Sequence, residues 1–160
     1  MTRRPFLALL GALGLASKAA QAQPATTAGP KIEVLRLSDA DWKQRLAPAA
    51  YDVLRHEGTE RAGTSALLGE HRKGVFACAG CDLPLFRSEW KFDSGTGWPS
   101  FYTAIKGALG KKTDLMIGLP RTEYHCARCL GHQGHVFNDG PRPTGLRYCN
   151  DGVALKFVPA

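Results

Sequence analysis

Apolar and polar residues follow two different patterns along the chain, and the change comes near Gly74. Before it, Trp42 and Leu46 lie four positions apart and would share the buried face of a short helix, with Ser38 as its N-cap. Pro48 suits the first turn of a second helix. The sequence therefore predicts a short helical lead-in to the domain.

Beyond Gly74, short apolar runs separated by turn residues replace the helical spacing, as is typical of β-strands. The strand candidates are residues 75–77, 83–86, 115–117, 135–137 and 153–158. The 18 glycines and 10 prolines also favour turn-rich β structure over long helices. We predict a mainly β, mostly antiparallel domain over residues 32–160.

The N-terminus has the pattern of an export signal. The basic pair Arg3-Arg4 precedes an apolar run too short to span a bilayer, and Ala20-Gln-Ala22 is a small-x-small cleavage site. We predict a signal peptide at residues 1–22 and a linker at 23–31. The Thr-Arg-Arg-x-Phe-Leu core resembles the twin-arginine signal of bacteria, with a general secretion signal as the alternative. Export to a bacterial periplasm is expected, without stable membrane insertion.

The formal charge of +7 raises the question of an acidic partner such as nucleic acid. Removing Arg3, Arg4 and Lys18 with the signal leaves 18 of the 21 basic residues against 14 acidic ones. Those that remain are scattered apart from Lys111-Lys112, and aromatic residues do not alternate with them. A solvated surface is favoured, and no nucleic-acid partner is expected.

Four of the five cysteines form two CxxC pairs, Cys78/Cys81 and Cys126/Cys129. Two such turns present four thiolates at tetrahedral angles, so we predict one structural zinc per chain with no open coordination position. A pair of disulfides is an alternative in an exported protein. A redox-active CxxC would need an alternating βαβ pattern, which the sequence lacks.

The fifth cysteine, Cys149, is either a reactive thiol or a buried, inert residue. His132 and His135 follow the second CxxC pair directly, and an imidazolium near a thiol lowers the pKa of that thiol and can donate a proton. Trp98 lies on a glycine-rich loop, where an indole makes a plausible wall for a small apolar group.

Together these motifs resemble the B-type methionine sulfoxide reductases, over about residues 36–159. The matching segments are the two CxxC pairs, Gly97-Trp-Pro-Ser-Phe101, His132-Gln-Gly-His135-Val-Phe, Asp139-Gly-Pro141 and Arg147-Tyr-Cys149. The resemblance implies two antiparallel sheets in a barrel-like arrangement, clipped by zinc far from the chemistry. It also implies reduction of the R epimer of methionine sulfoxide.

The resemblance assigns a role to each candidate site residue. The Cys149 thiolate would attack the sulfoxide sulfur and become a sulfenic acid. His135, with His132 in support, would assist protonation of the oxygen, and Trp98 would contact the ε-methyl group. The expected substrates are oxidised methionine in proteins or peptides, and free methionine sulfoxide as well.

Two positions depart from the family pattern. Thr96 stands where many members carry a resolving cysteine, so an external thiol reductant such as a thioredoxin-like protein is expected to regenerate Cys149. Asp151 stands where many members have asparagine. A carboxylate there should oppose thiolate formation unless it is protonated, paired or turned away.

A rival hypothesis is an exported, zinc-scaffolded binding module without catalysis, in which Cys149 is inert and the histidines are structural. Loss of turnover with retention of zinc in a Cys149→Ser protein separates the two hypotheses. A monomer is the default expectation for either.

Overall fold

The computed structural model describes residues 32–160, and the predicted signal peptide and linker lie outside this range. Two helices open the described chain, α1 (Asp39–Arg45) and α2 (Pro48–His56). The Ser38 side chain accepts a hydrogen bond from the backbone of Asp41, whose carboxylate accepts one from the backbone of Ser38. This reciprocal capping confirms the predicted start of α1. No helix in residues 32–160 has the length and apolar character needed to cross a membrane.

Nine strands follow the helices and form two sheets. They are β1 (Gly74–Cys78), β2 (Pro84–Arg87), β3 (Lys91–Phe92), β4 (Ser100–Phe101), β5 (Leu109–Asp114), β6 (Arg121–Cys126), β7 (His132–Phe137), β8 (Arg147–Asn150) and β9 (Leu155–Pro159). The small sheet has the order β2-β1-β9 and the large one β3-β4-β8-β7-β6-β5. Every pairing is antiparallel, which confirms the two antiparallel sheets. Within the described residues each sheet keeps two edges, so neither closes on itself.

The predicted strand at residues 115–117 is wrong. These residues form the turn between β5 and β6, where the Gly118 backbone N–H donates to the Leu115 carbonyl and Gly118 has a φ of +77°. An apolar run predicts a buried strand only if its side chains are buried, and Leu115, Met116 and Ile117 are all exposed.

Aromatic side chains from both sheets meet in a shared core. The rings of Phe86 (β2) and Phe101 (β4) stack with centroids 4.2 Å apart. Phe76 (β1) meets Phe101 edge to face, and Tyr124 (β6) meets Phe86 in the same way. Because these contacts join the small sheet to the large one, the position of β4 and of its neighbour β8 depends on them.

Truncation of this stack should therefore destabilise the whole domain. Phe101 is fully buried, and Phe101→Ala should lower the free energy of unfolding by about 3–5 kcal/mol because it removes apolar contacts and leaves a cavity. Urea unfolding curves measure the loss. The control Val158→Ala, at a half-exposed position on β9, should cost less than about 1 kcal/mol. An equal cost for both variants would contradict the shared core.

Candidate active site and metal centre

The two CxxC pairs sit on turns of the same shape. The backbone N–H of Asp82 donates to the Cys78 carbonyl at 2.9 Å, and that of Leu130 donates to the Cys126 carbonyl at 2.9 Å. Asp82 and Leu130 both adopt the left-handed conformation, with φ of 65° and 59°. Each turn thus folds back tightly and presents its two thiols on one side.

The four thiols of these turns form one buried cluster. Cys78 Sγ lies 3.5 Å from Cys129 Sγ, and Cys81 Sγ lies 3.4 Å from Cys126 Sγ. All four sulfur atoms lie within 4.8 Å of one another. A disulfide needs about 2.05 Å, so the alternative of two disulfides does not apply. Zn–S bonds of about 2.3 Å at tetrahedral angles place sulfurs about 3.8 Å apart, so the four thiols fit such an ion.

Strand β7 leads from the second turn into a small pocket. It begins at His132, and its Gly134 has a φ of 148° and lies opposite Asn150 of β8. A Cβ atom at Gly134 would lie 2.0 Å from the Cys149 carbonyl oxygen. The missing side chain therefore lets β8 approach closely and sets the position of Cys149.

The pocket has a volume of about 140 Å³ and brings together most of the predicted catalytic residues. Cys149, His135, Trp98 and Asp151 all line it, with Phe137 as an apolar wall. Cys149 on β8 pairs directly with His135 on β7 in the sheet register. A larger groove, of about 1010 Å³, lies elsewhere beside the start of the described chain and contains none of these side chains.

Trp98 is fixed by a hydrogen bond from its indole Nε1 to the Glu60 carbonyl oxygen at 3.1 Å. The preceding residue, Gly97, has a φ of 89°, and its carbonyl accepts from the Gly63 backbone N–H at 2.8 Å. The loop carrying Trp98 is thereby tied to the segment after α2, which holds the indole as one wall of the pocket.

Burial raises the pKa of the Cys149 thiol, while the positive charge of Arg147 and a hydrogen bond with Thr96 lower it in part. Arg147 is itself held by the Asp139 carboxylate through two hydrogen bonds, of 2.9 and 2.8 Å. With its pKa raised, the thiol is mainly protonated at neutral pH before substrate enters.

His135 is positioned by a carboxylate that sequence reasoning missed. Its Nε2 lies 2.7 Å from Asp114 Oδ2. Arg121 Nη2 donates to the same carboxylate oxygen at 2.5 Å. Burial lowers the pKa of His135, and the hydrogen bond with Asp114 opposes this in part. The neutral ring then bears its proton on Nε2, facing the carboxylate, and Nδ1 is left as a proton acceptor.

His132 lies behind the pocket rather than on its wall. Its Nδ1 is 2.9 Å from Glu123 Oε1, and Lys112 Nζ is 2.9 Å from the other oxygen of that carboxylate. Burial lowers the pKa of His132 to about 4. The expectation of an imidazolium beside the thiol therefore differs from the structure, in which desolvation favours the neutral form of both histidines.

Asp151 is buried between the segment that follows α2 and strand β7. Its Oδ1 accepts from the Glu60 backbone N–H at 2.9 Å, and its Oδ2 lies 3.9 Å from His132 Nε2. Burial raises the pKa of Asp151 to about 7, and the backbone N–H of Glu60 limits the rise. Near neutral pH this group therefore exists in both protonation states, beside Cys149.

Three carboxylates that orient the site, those of Glu60, Asp114 and Glu123, were assigned no role from the sequence. Glu60 accepts hydrogen bonds from the backbone of Gly152 at 2.5 Å and of Val153 at 3.2 Å. No local spacing relates these residues to Cys149, because each comes from a different part of the fold. Glu123 is buried on β6, but no strand was predicted there, so its burial gave no signal in the sequence.

The SelR domain model matches residues 46–159 of this chain. The chain is 54% identical over 121 residues to a Leptospira interrogans protein named peptide methionine sulfoxide reductase MsrB, which covers 75% of this chain and 92% of that protein. A protein of the same name from Thiobacillus denitrificans is 52% identical over 123 residues, covering 76% and 93% of the two chains.

A solved structure titled the "Yippee-like" domain of Mis18 overlaps 56% of this chain and 98% of that one, with 17% identity and a TM-score of 0.45, too low to support an argument. The sequence relatives and the family model each span most of the described domain. The chain therefore belongs to the SelR-domain family, that of the B-type peptide methionine sulfoxide reductases.

Proposed function

We propose that Cys149 of this methionine R-sulfoxide reductase attacks the sulfoxide sulfur and is recycled by an external thiol. The observation that carries the proposal is the convergence of Cys149, His135, Trp98 and Asp151 on one pocket of about 140 Å³. A thiolate is the only strong nucleophile in that pocket, and a neutral imidazole beside it can act as its base.

The proposed reaction is a two-electron reduction in which the oxygen moves to the enzyme. The Cys149 sulfur forms a bond to the sulfoxide sulfur as the oxygen takes up a proton. The oxygen then passes to the Cys149 sulfur, which leaves methionine as a thioether and Cys149 as a sulfenic acid. The substrate sulfur is reduced and the Cys149 sulfur is oxidised by the same two electrons.

His135 is the proposed carrier of the proton. Its Nδ1 accepts the thiol proton, and the resulting imidazolium is stabilised by the Asp114 carboxylate, 2.7 Å from Nε2. The same proton then goes to the sulfoxide oxygen. His132, held by Glu123, contacts the His135 ring at 5.4 Å between centroids and supports its orientation.

Trp98 and Phe137 form the apolar part of the pocket, and we assign the methyl end of the substrate to the Trp98 face. An indole fixed by a hydrogen bond to Glu60 loses no conformational freedom when the methyl group packs on it. The polar sulfoxide oxygen then faces His135 and Asp151, which can donate a proton or a hydrogen bond.

Regeneration requires a thiol from outside the chain. Thr96 lies on the same glycine-rich loop as Trp98, two residues before it, and it carries no sulfur. The other four cysteines are held in the buried cluster. An external thiol would attack the sulfenic acid with release of water, and a second thiol would then release Cys149 by disulfide exchange.

We assign a zinc ion to the four-thiol cluster. A Cys₄ set offers only soft ligands, at separations that fit tetrahedral zinc. The amide of Gln133 donates to Cys78 Sγ at 3.3 Å, which suits a thiolate bound to a cation. A bound zinc would supply folding stability and no open position for chemistry.

The N-terminal pattern supports export of the enzyme to a periplasm by the twin-arginine route. That route carries folded proteins, so the zinc site would close in a reducing compartment before the thiols meet an oxidising one. Cleavage after Ala22 leaves the domain with the linker at residues 23–31.

Cys149→Ser tests the nucleophile. Dithiothreitol-dependent reduction of methionine R-sulfoxide should fall by at least about a thousandfold, because a serine hydroxyl is a far weaker nucleophile than a thiolate. Zinc content should remain at one ion per chain. Undiminished turnover in the variant would favour a binding module instead.

The same assay, run for one turnover without reductant, should leave a sulfenic acid on Cys149 that dimedone labels. Peptide mapping that found Cys149 joined to one of the cluster cysteines, with loss of zinc, would overturn external recycling. Cys78→Ser is the matched control. This variant keeps Cys149, but it should lose zinc and stability because a cluster thiol is removed.

Asp151→Asn tests the charge beside the thiol. In the natural protein Asp151 becomes charged as pH rises through about 7, and that charge raises the pKa of the Cys149 thiol. Asparagine removes the charge, so alkylation of Cys149 by iodoacetamide should become several-fold faster above pH 7 and change little at pH 6. Glu89→Gln, the same change in charge at an exposed site, should leave the profile unaltered. An unchanged profile in Asp151→Asn would refute the proposed effect.

Native mass spectrometry of the protein from a periplasmic extract tests the metal and the export signal together. We expect a chain that begins at Gln23 and retains one zinc ion. An iron-containing protein, a disulfide-linked mass without metal, or a chain still carrying residues 1–22 would each contradict the corresponding assignment.

A further inference from the structure

The turn between β5 and β6, residues 115–119, displays four large apolar side chains to solvent. Leu115, Met116, Ile117 and Leu119 are 64%, 74%, 61% and 67% exposed. In the described range 32–160 the other exposed large apolar residues are Val34, Leu130 and Val158, which lie singly and are at most 45% exposed. We call residues 115–119 the apolar turn.

The composition of the apolar turn is unusual for its place in the fold. Turns are normally built from glycine, proline, asparagine, aspartate and serine, and Gly118 is the one such residue here. Contiguous exposed apolar groups on a water-soluble surface generally mark a binding site, because burying them against a partner is favourable.

The apolar turn borders the catalytic pocket. Met116 and Ile117 line a cavity of about 200 Å³ together with His135 and Arg121. His135 and Arg121 also line the pocket that contains Cys149. The two cavities therefore share a wall, and Met116 and Ile117 stand at the rim of the site, with Leu115 and Leu119 beside them in the chain.

Asp114 fixes the apolar turn relative to the catalytic histidine. Its Oδ1 accepts from the Met116 backbone N–H at 2.8 Å, and its Oδ2 lies 2.7 Å from His135 Nε2. The Met116 N–H is also the largest cause of the lowered pKa of Asp114. The Asp114 carboxylate thus fixes the position of the apolar turn relative to the His135 ring.

We infer that the apolar turn binds the unfolded apolar segment that flanks an oxidised methionine in a protein substrate, an inference that rests on the proposed function. Methionine lies mostly among apolar residues, and its sulfoxide disrupts that packing and exposes them. A pocket of about 140 Å³ admits one side chain, so the neighbouring residues must lie outside it, on the rim.

A polypeptide fits this surface better than a lipid bilayer or a second copy of the chain. Because Met116 and Ile117 line a cavity that shares His135 and Arg121 with the Cys149 pocket, a bilayer or a second copy held there would compete with substrate for the same rim. A substrate segment covers the same rim only while its own methionine sulfoxide is in the pocket. The alternatives are nevertheless separated by the experiment.

The test compares the natural protein with the triple variant Leu115→Ser, Ile117→Ser, Leu119→Ser, which keeps Asp114, Met116 and their hydrogen bond. Three substrates are used: methionine R-sulfoxide in a peptide flanked by leucine and valine, the same peptide flanked by serine and glycine, and N-acetylmethionine R-sulfoxide. The variant should lose about tenfold or more in kcat/KM on the apolar peptide, chiefly through KM, because apolar burial is lost. Changes on the other two substrates should stay within about twofold.

Two controls accompany the triple variant. Val34→Ser with Val158→Ser removes exposed apolar side chains elsewhere and should alter none of the three substrates. Met116→Leu should behave as the natural protein, whereas Met116→Ser should lose part of the preference for the apolar peptide. If the melting temperature shows that the triple variant does not fold, the comparison of Met116→Leu with Met116→Ser tests the inference in its place.

Equal losses of kcat/KM on all three substrates would mean that the apolar turn shapes the pocket. No loss on the apolar peptide would mean that the apolar turn does not bind the flanking segment. Either result would overturn the inference. So would a natural dimer that the triple variant converts to monomer without loss of peptide preference, or equivalent binding of phosphatidylglycerol vesicles that the variant abolishes. A natural protein inert on every substrate would instead refute the proposed function, with the inference that depends on it.

Discussion

The contact on which the rest of the structure depends is the meeting of four thiols from two separate turns. Cys78 ends β1 of the small sheet and Cys126 ends β6 of the large one, so the cluster joins the two sheets at one end. Strand β7 begins immediately after the second turn. The four-thiol cluster lies outside the Cys149 pocket, yet it sets where the histidines of β7 stand relative to Cys149 on β8.

The pocket and the layer directly behind it contain several ionisable groups whose charged forms burial disfavours, and each is held by a partner from another element. Asp114 hydrogen-bonds His135, Glu123 hydrogen-bonds His132, and the backbone N–H of Glu60 donates to Asp151. Pairing offsets part of the cost of removing these groups from water. Burial lowers the pKa of both histidines and raises that of Asp151 to about 7, so the histidines are neutral and Asp151 is near the midpoint of its titration.

The sequence correctly predicted those features that depend on residues close together in the chain. Ser38 with Asp41, and the paired CxxC spacing, depend on residues close in sequence, and both gave the correct structure. The short strands β3 and β4, and the polar strand β5, have no clear alternation and form only because neighbouring strands supply their hydrogen bonds. The apolar run at 115–117 led to a wrong prediction, because its side chains are exposed on the surface and do not pack in the core. The supporting acids Glu60, Asp114 and Glu123 become recognisable only when folding brings them to Cys149.

The threonine at position 96 also has a kinetic consequence. A neighbouring thiol would capture the oxidised nucleophile within the same molecule, at a rate independent of concentration. Under the proposed mechanism no such thiol is at hand, so an oxidised Cys149 would wait for a collision, and its waiting time would be inversely proportional to the reductant concentration. During that interval a second oxidant can carry the sulfur to the sulfinic acid, from which disulfide exchange does not return it. The working lifetime of each molecule would then depend on the relative rates of two bimolecular reactions of the sulfenic acid, one with the reductant and one with the oxidant. The concentrations of these two reagents in the compartment, rather than the fold, would decide between them.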